Sequence, residues 1–510
     1  MNGAQQGKSA IVVGERQFHA NGEPVRASAG GRRWRMGSYY RRGRVTPAEG
    51  RNPDPTQARE GLTARRLTMS LRTPSETVEK LQTSLQTKAK AEPAFRFYAL
   101  WDKVCRKDVL LEAYRRCRAN AGASGIDSET FERIDTHGLE RWLETLWEEL
   151  SSGKYVPKPL LRVWIPKSNG GQRPLGIPCI RDRVVQMAAV LVIGPIFEVD
   201  LLPQQHGFRP GLDAKMALRR VYWHVTQHGR REVVDADLRD YFNSIPHAPL
   251  MRSLSRRIAD GRLLHVIKRW LTAPVVEVVD GRSVQTAEAR RTKRGTPQGG
   301  VISPLLANCY FRRFLLAWHD HGHRDRLDAH VVNYADDFVI CCRPGNAPAA
   351  MARMATLMTR LGLEVNAKKT RIARLPEESF DFLGYTVGRF HGKNGRPYIG
   401  TRPSRKSVKS LLRRIHQRTT RQWYADDPKS TVARISSMLR GWCGYFDQGP
   451  VITIYDLIHR YTERRIRRWL LRRSGRKGTG FDQIPDEYLY ETLGLYTVPR
   501  NRSDLPRAKI

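Results

Sequence analysis

Tyr334-Ala335-Asp336-Asp337 sets two carboxylates side by side between apolar runs, and a third acid, Asp237, lies 99 residues before Asp336 in Val233-Val234-Asp235-Ala236-Asp237-Leu238. Adjacent aspartates repel one another when confined, and a divalent cation removes that cost. Carboxylates from separate strands can clamp a metal pair. One ion lowers the pKa of an attacking hydroxyl while the other holds a phosphate leaving group. Two Mg²⁺ ions held in this way would support nucleotidyl transfer, for which the protein supplies position and charge stabilisation. An Asp-Asp pair also occurs in ordinary surface turns, so the pair alone decides nothing. Asp235 and Asp237 share one strand face, and spacing leaves open which of them binds metal.

The elements that must position these acids are readable from periodicity. Apolar runs on both sides of Asp336-Asp337 predict a hairpin around 330–342 with the acids at its tip, and 231–238 reads as a further strand. LRVWIPK at 161–167 and GQRPLGIP at 171–178 flank SNGG, a hairpin signal. Helices are expected at 72–89, 95–118, 138–151, 181–198 and 347–361. Beyond about 400, apolar residues recur at helical spacing, as in Val408, Leu411, Leu412 and Ile415, then Ile435, Met438, Leu439 and Trp442. Their other faces are crowded with arginine and lysine, which predicts a helical region with a basic exterior. Residues 1–68 are rich in Gly, Arg and Pro without periodicity and read as a basic, disordered extension.

The chain holds 89 Lys plus Arg against 50 Asp plus Glu, a formal net charge of +39, with a pI near 10.5. Charge so far from zero speaks of a polyanionic partner, and nucleic acid is the natural one. No apolar run reaches the roughly 18 residues needed to span a bilayer, so no membrane partner is expected. The N-terminus lacks the apolar core of a secretory signal. Seven cysteines without a CxxC pair argue against a disulfide framework or a structural zinc, and fit a reducing cytoplasm.

The ordered motifs sharpen this reading. They are GASGID (122–127), RVWIPK (162–167), GQRPLGIP (171–178), HGFRPG (206–211), DADLRDYFNSIPH (235–247), GTPQGGVISPLLANCY (295–310), YADDFVI (334–340), LGLEVNAKKT (361–370) and FDFLGYTV (380–387). From about residue 95 to about 475 the chain resembles the reverse transcriptases encoded by bacterial group II introns, also called maturases. The resemblance implies an α+β right-hand polymerase with a C-terminal helical thumb/maturase domain. It implies fingers and palm at 69–395, thumb/maturase at 396–475, and a C-terminal extension at 476–510 that lacks the family's appended HNH endonuclease.

The resemblance assigns Asp237, Asp336 and Asp337 to two Mg²⁺ ions, choosing Asp237 over Asp235, with the Ala236 carbonyl as a further ligand. It places Phe242 at the steric-gate position that selects dNTPs, and Lys167, Arg173 and Gln298 around the nucleotide. Lys369 would stand near the triphosphate and protonate pyrophosphate. Nucleic-acid contacts would come from Arg209, Arg413, Arg414, Arg418, Trp442, Arg464 and Arg465. The implied partners are group II intron RNA, an RNA template/DNA primer duplex, dNTPs and target DNA. A splicing-only RNA-binding factor and a host-adopted or defence-associated reverse transcriptase are the alternatives. Two departures stand out: Asn243 where many relatives carry Asp, and Gly444 in GWCGYF (441–446) where they carry Asn.

Overall fold

The computed structural model describes residues 74–166, 171–279, 282–286, 293–392, 394–476, 478 and 480–499. The expected extension at 1–68 lies outside the described residues. Among the described residues, eleven strands form three sheets.

The first sheet contains the expected hairpin, β1 (Leu160–Pro166) against β2 (Gln172–Ile177), with Pro166 opposite Gln172. It is extended by β4 (Val275–Val279), parallel to β1, and β5 (Arg282–Gln285); neither was expected. Helices Pro74–Ala91, Lys107–Ala119 and the long Ile180–Asp200 pack against one another. The helix expected at 95–118 breaks into Trp101–Val104 and Lys107–Ala119. Arg106 adopts an extended backbone at the break, and its guanidinium clamps Asp108 at 2.6 Å.

The central sheet comprises β6 (Ala329–Tyr334), β7 (Asp337–Cys342), β3 (Glu232–Asp237) and β8 (Arg371–Arg374). Alternation sends its side chains into two separate cores. Val234, Ala236, Val331, Phe338, Ile340 and Cys342 join one core with helices Ser303–Asp320 and Ala347–Arg360. Val233, Val332, Val339, Cys341 and Ala373 join the other. That second core contains helix Ala214–Thr226 and the third sheet of β9 (Phe380–Phe382), β10 (Tyr385–His391) and β11 (Pro397–Pro403). It also takes in helices Arg405–Arg418, Pro428–Tyr445 and Ile452–Arg473.

Two expected boundaries need correction. A division at 395/396 would cut the β10–β11 hairpin, whose pairing runs from Tyr385–Pro403 to His391–Pro397. The segment after 476 is not a mere extension: Leu489, Leu493, Leu495 and Val498 are buried in the second core, and Tyr490 donates to Glu463 at 2.7 Å.

Candidate active site

β3 and β7 run antiparallel with Asp237 directly opposite Asp337. Cross-strand partners of this kind lie about 4.5–5.5 Å apart at Cα. Asp336 sits beside them in the two-residue turn between β6 and β7. Asp235 lies one rung back on the same face, opposite Val339 and Arg371, with the Arg371 guanidinium 3.8 Å away. The tip of the sheet therefore sets Asp237 across from Asp337, with Asp336 in the adjoining turn; among the described residues no three Asp, Glu, His or Cys side chains are drawn together closely enough to hold a metal ion.

The turn is strained and braced. Ala335 has φ +59°, a region that favours glycine. Buried Asn333 donates its amide to the Ala335 carbonyl at 2.7 Å. The backbone of Asn333 exchanges hydrogen bonds with the Gln204–His206 segment, donating to the Gln204 carbonyl and accepting from the His206 N–H, both at 2.9 Å. Gly207 then presses against the turn: a Cβ there would lie 2.3 Å from the Ala335 nitrogen. Only glycine permits this approach.

Asp237 is oriented by the 361–370 segment. Asn366 donates to its carboxylate at 2.9 Å, its own N–H bonds the Thr370 hydroxyl at 3.2 Å, and Lys369 lies 3.3 Å from the carboxylate. Desolvation, then the charges of Asp336, Asp237 and Asp235, push the Asp337 carboxyl up to about 7, against the pull of Lys369. The crowding by neighbouring carboxylates is the part of that shift a cation would reverse. Hard oxygen donors carrying surplus negative charge match a small divalent cation.

The nucleotide-side residues converge as well. Phe242 is half-buried in helix Tyr241–Ser244. Its ring meets Phe208 edge-on at 6.4 Å, and its carbonyl accepts from the Thr296 N–H at 2.7 Å. Arg173 of β2 donates to the Gln298 side chain at 2.6 Å. Gln298 in turn reaches Asp240 at 3.3 Å, and Asn243 donates to both Asp240 oxygens at 2.9 Å. The Gly176 N–H bonds the Gln298 carbonyl at 2.8 Å, and a Cβ on Gly299 would stand 2.6 Å from the Gly176 oxygen. Lys167 lies outside the described residues.

Residues 165–387 match the family model described as reverse transcriptase (RNA-dependent DNA polymerase), and residues 408–488 match the group II intron, maturase-specific domain. The chain is 32% identical over 366 residues to Protein YkfC of Escherichia coli, covering 65% of this chain and 93% of that protein. It belongs to the group II intron reverse transcriptase/maturase family.

A second relative, group II intron-encoded protein LtrA of Lactococcus lactis, is 32% identical over 217 residues, 42% of this chain and 34% of LtrA. The 91 kDa protein in the cob intron of Schizosaccharomyces pombe is 24% identical over 417 residues, 68% of this chain and half of that protein. The chain thus spans a third to a half of these two longer relatives. A reverse transcriptase domain implies a divalent metal and nucleic-acid substrates. Among the described residues no helix is long and apolar enough to cross a membrane.

Three expected RNA contacts of this reverse transcriptase/maturase are corrected. All three guanidinium nitrogens of Arg209 are engaged inside the protein, with Glu198 at 2.6 and 2.9 Å and the Leu202 and Gln205 carbonyls at 2.8 and 2.7 Å. Arg209 anchors its loop to the Ile180–Asp200 helix and does not present an open fork to a template phosphate. Trp442 is buried in the helical core against Phe446 at 4.5 Å. Arg465 is half-buried and donates to the Thr419 carbonyl and hydroxyl at 2.9 Å, closing the end of helix Arg405–Arg418. Arg413, Arg414 and Arg464 are exposed, and Arg418 lies 4.8 Å over the Trp423 ring.

Sequence reasoning passed over Phe208, Asn333, Asn366 and Thr370. Phe208 sits next to Arg209 in the same motif, at φ +57° and 40% exposed. Asn366 and Thr370 stand inside the segment from which only Lys369 was chosen.

Proposed function

We propose that this chain extends a DNA 3′ end on an RNA template with dNTPs, using two Mg²⁺ ions held by Asp237, Asp336, Asp337 and the Ala236 carbonyl. It further binds its parent intron RNA to assist splicing and target-primed integration into DNA. The single observation that carries the catalytic part is the cross-strand pairing of Asp237 with Asp337 beside Asp336. Bound there, a divalent pair would supply polarisation of the primer 3′-hydroxyl and neutralisation of the leaving pyrophosphate.

The chain's own residues do the rest. Asn366 fixes the Asp237 carboxylate, and Thr370 its backbone N–H, before substrate arrives, which is the preorganisation such sites need. Lys369 stands beside Asp237 as a cation for the triphosphate and a proton donor to pyrophosphate. Arg173 reaches Gln298 from the fingers hairpin, and Lys167 on the other arm would join it at the phosphates. Phe242 closes the space beside the sugar, where a ribose 2′-hydroxyl would collide. The exposed Arg413, Arg414 and Arg464, with Arg418, grip the backbone of the template–primer duplex or intron RNA without reading sequence.

Primer extension on annealed RNA with Mg²⁺ tests the proposal, comparing dNTPs with rNTPs and wild type with Asp336→Asn. Full-length cDNA from wild type alone is expected, with RNA binding largely retained in the variant. Undiminished synthesis by Asp336→Asn would remove the metal assignment. No synthesis by wild type, with tight intron RNA binding, would leave a splicing factor.

A further inference from the structure

Phe208 is held in a conformation that aromatic residues rarely adopt. Its φ is +57°, in the left-handed region where a Cβ crowds its own backbone. Among the described residues seven non-glycines share a positive φ, and three of them, Phe208, Asp240 and Ala335, belong to the site described above. Such strain persists only where surrounding contacts over-determine it. Before Phe208, the His206 N–H donates to the Asn333 carbonyl at 2.9 Å, and the Asn308 amide donates to the Gly207 carbonyl at 2.8 Å. After it, Arg209 is fixed to Glu198 and to the Leu202 and Gln205 carbonyls. Buried Gln205 donates in turn to the Asn308 carbonyl at 3.0 Å. The loop is bonded on both sides of Phe208, yet the ring stays 40% exposed, so the core gains little from the strain.

What the ring touches points to its use. Phe242 lies 6.4 Å away with the two planes 85° apart, a favoured aromatic geometry. The Phe242 backbone is pinned by the Thr296 N–H, and its ring packs against the main core. Tyr241, 5.8 Å from that ring, is itself locked, its hydroxyl donating to the Ala307 carbonyl at 2.7 Å. Phe208 is the ring neighbour that comes from outside the short helix carrying Phe242. The same loop presses on the catalytic turn through Gly207. One rigid segment therefore sets both the turn and the ring beside the sugar.

We infer that Phe208 is a specificity-determining positioning residue. It fixes the angle of the Phe242 ring, and with it the room left at the 2′ carbon of the incoming nucleotide. The inference rests on the reading of Phe242 as the gate, and extends it to a residue that touches the gate and not the nucleotide. Without Phe208 the Phe242 ring is free to turn about its side-chain torsions and yield to a 2′-hydroxyl. Strain in the loop is then the cost of holding a discriminating ring still, which is where strained residues recur. Direct stacking of Phe208 on primer or template would act without Phe242, and a double variant separates the two roles.

Single-nucleotide incorporation by full-length protein on annealed RNA, with a dNTP and the matching rNTP, is measured for wild type, Phe208→Gly, Phe242→Ala and the double variant. Glycine removes the ring and relieves the positive φ, so the melting temperature should stay near that of wild type. Discrimination by Phe208→Gly should fall about two- to tenfold, the scale of one aromatic pair. The fall should come from a lower KM for the rNTP. A purely structural fault, passed to the turn through Gly207, would lower kcat for both nucleotides alike and leave the ratio unaltered. Phe208→Tyr keeps the ring and should keep the discrimination. Phe208→Leu, which keeps an apolar side chain in the loop, should move the ratio in the same direction as glycine. The double variant should discriminate no worse than Phe242→Ala, since nothing remains to be positioned. Losses that multiply in the double variant would overturn the inference, as would an unaltered ratio in Phe208→Gly and Phe208→Leu beside a lowered one in Phe242→Ala. An unaltered ratio in Phe242→Ala would remove the gate reading itself, and the inference with it.

Discussion

Phe242 holds its place through two neighbours, Tyr241 at 5.8 Å and Phe208 at 6.4 Å. Trimming it to alanine empties space beside the sugar without touching a carboxylate. Phe242→Ala should therefore admit rNTPs, lowering dNTP/rNTP discrimination by roughly ten- to a hundredfold, the range one lost steric contact can supply. Single-nucleotide incorporation kinetics measure this, and an unchanged ratio removes the gate. At this scale the carboxylates stood out because acids crowded among apolar residues repel one another unless a cation offsets them. Arg209 and Trp442 were misread for a shared reason. A motif marks which residues recur, not whether they face substrate or one another. Glu198, which claims Arg209, stands eleven residues away on another element, and nothing in HGFRPG announces it.

The elements bring distant residues into contact, and their tolerances are tight. Gly207 lies behind the catalytic turn with room for no side chain. Gly207→Ala should displace Ala335 and cut cDNA synthesis by at least about a hundredfold, since a misplacement of 1 Å can cost that much. Its binding of RNA should persist; wild-type turnover in this variant would show the brace to be idle. Helix Ala214–Thr226 meets β6 through His224 and His330, rings 4.8 Å apart. Burial, with Arg230 and the neighbouring imidazole charge, holds His224 down to about 3. Burial and Arg230 hold His330 down to about 4 despite Asp328. In the unfolded chain both return to about 6.5, so the unfolded state binds more protons between those limits. Stability is then full above pH 6.5 and falls as pH drops toward 4. Thermal melts from pH 7.5 to 4.5 should show this slope, and His224→Gln, which keeps an acceptor for Arg230, should flatten it. Three strands of the central sheet, β3, β6 and β7, were readable from their apolar runs, but β8 was not. Nor were β4, β5 and β11, whose pairing comes from tertiary contact.

Across the whole molecule, exposed arginines cover the C-terminal helices while the net charge stays at +39. If binding neutralises about six to ten phosphates, RNA affinity should fall by about 10³–10⁵ between 50 and 200 mM salt. A filter-binding titration checks this, and a flat response would mean that the basic faces do not carry the binding. The family and its order of parts were legible in the sequence; their joints were not. Val498 packs into the same core as Leu411, although only the three-dimensional path of the chain reveals it. The central sheet has a consequence for descent. Val233, Val339 and Cys341 give the catalytic strands a second apolar face, covered by helix Ala214–Thr226 and by the elements that follow β8. A gene shortened after β8 would bare to water the part of that face that helix Ala214–Thr226 leaves uncovered. Loss of the C-terminal helices would therefore weaken the strands that carry the carboxylates, which ties the two halves together in descent.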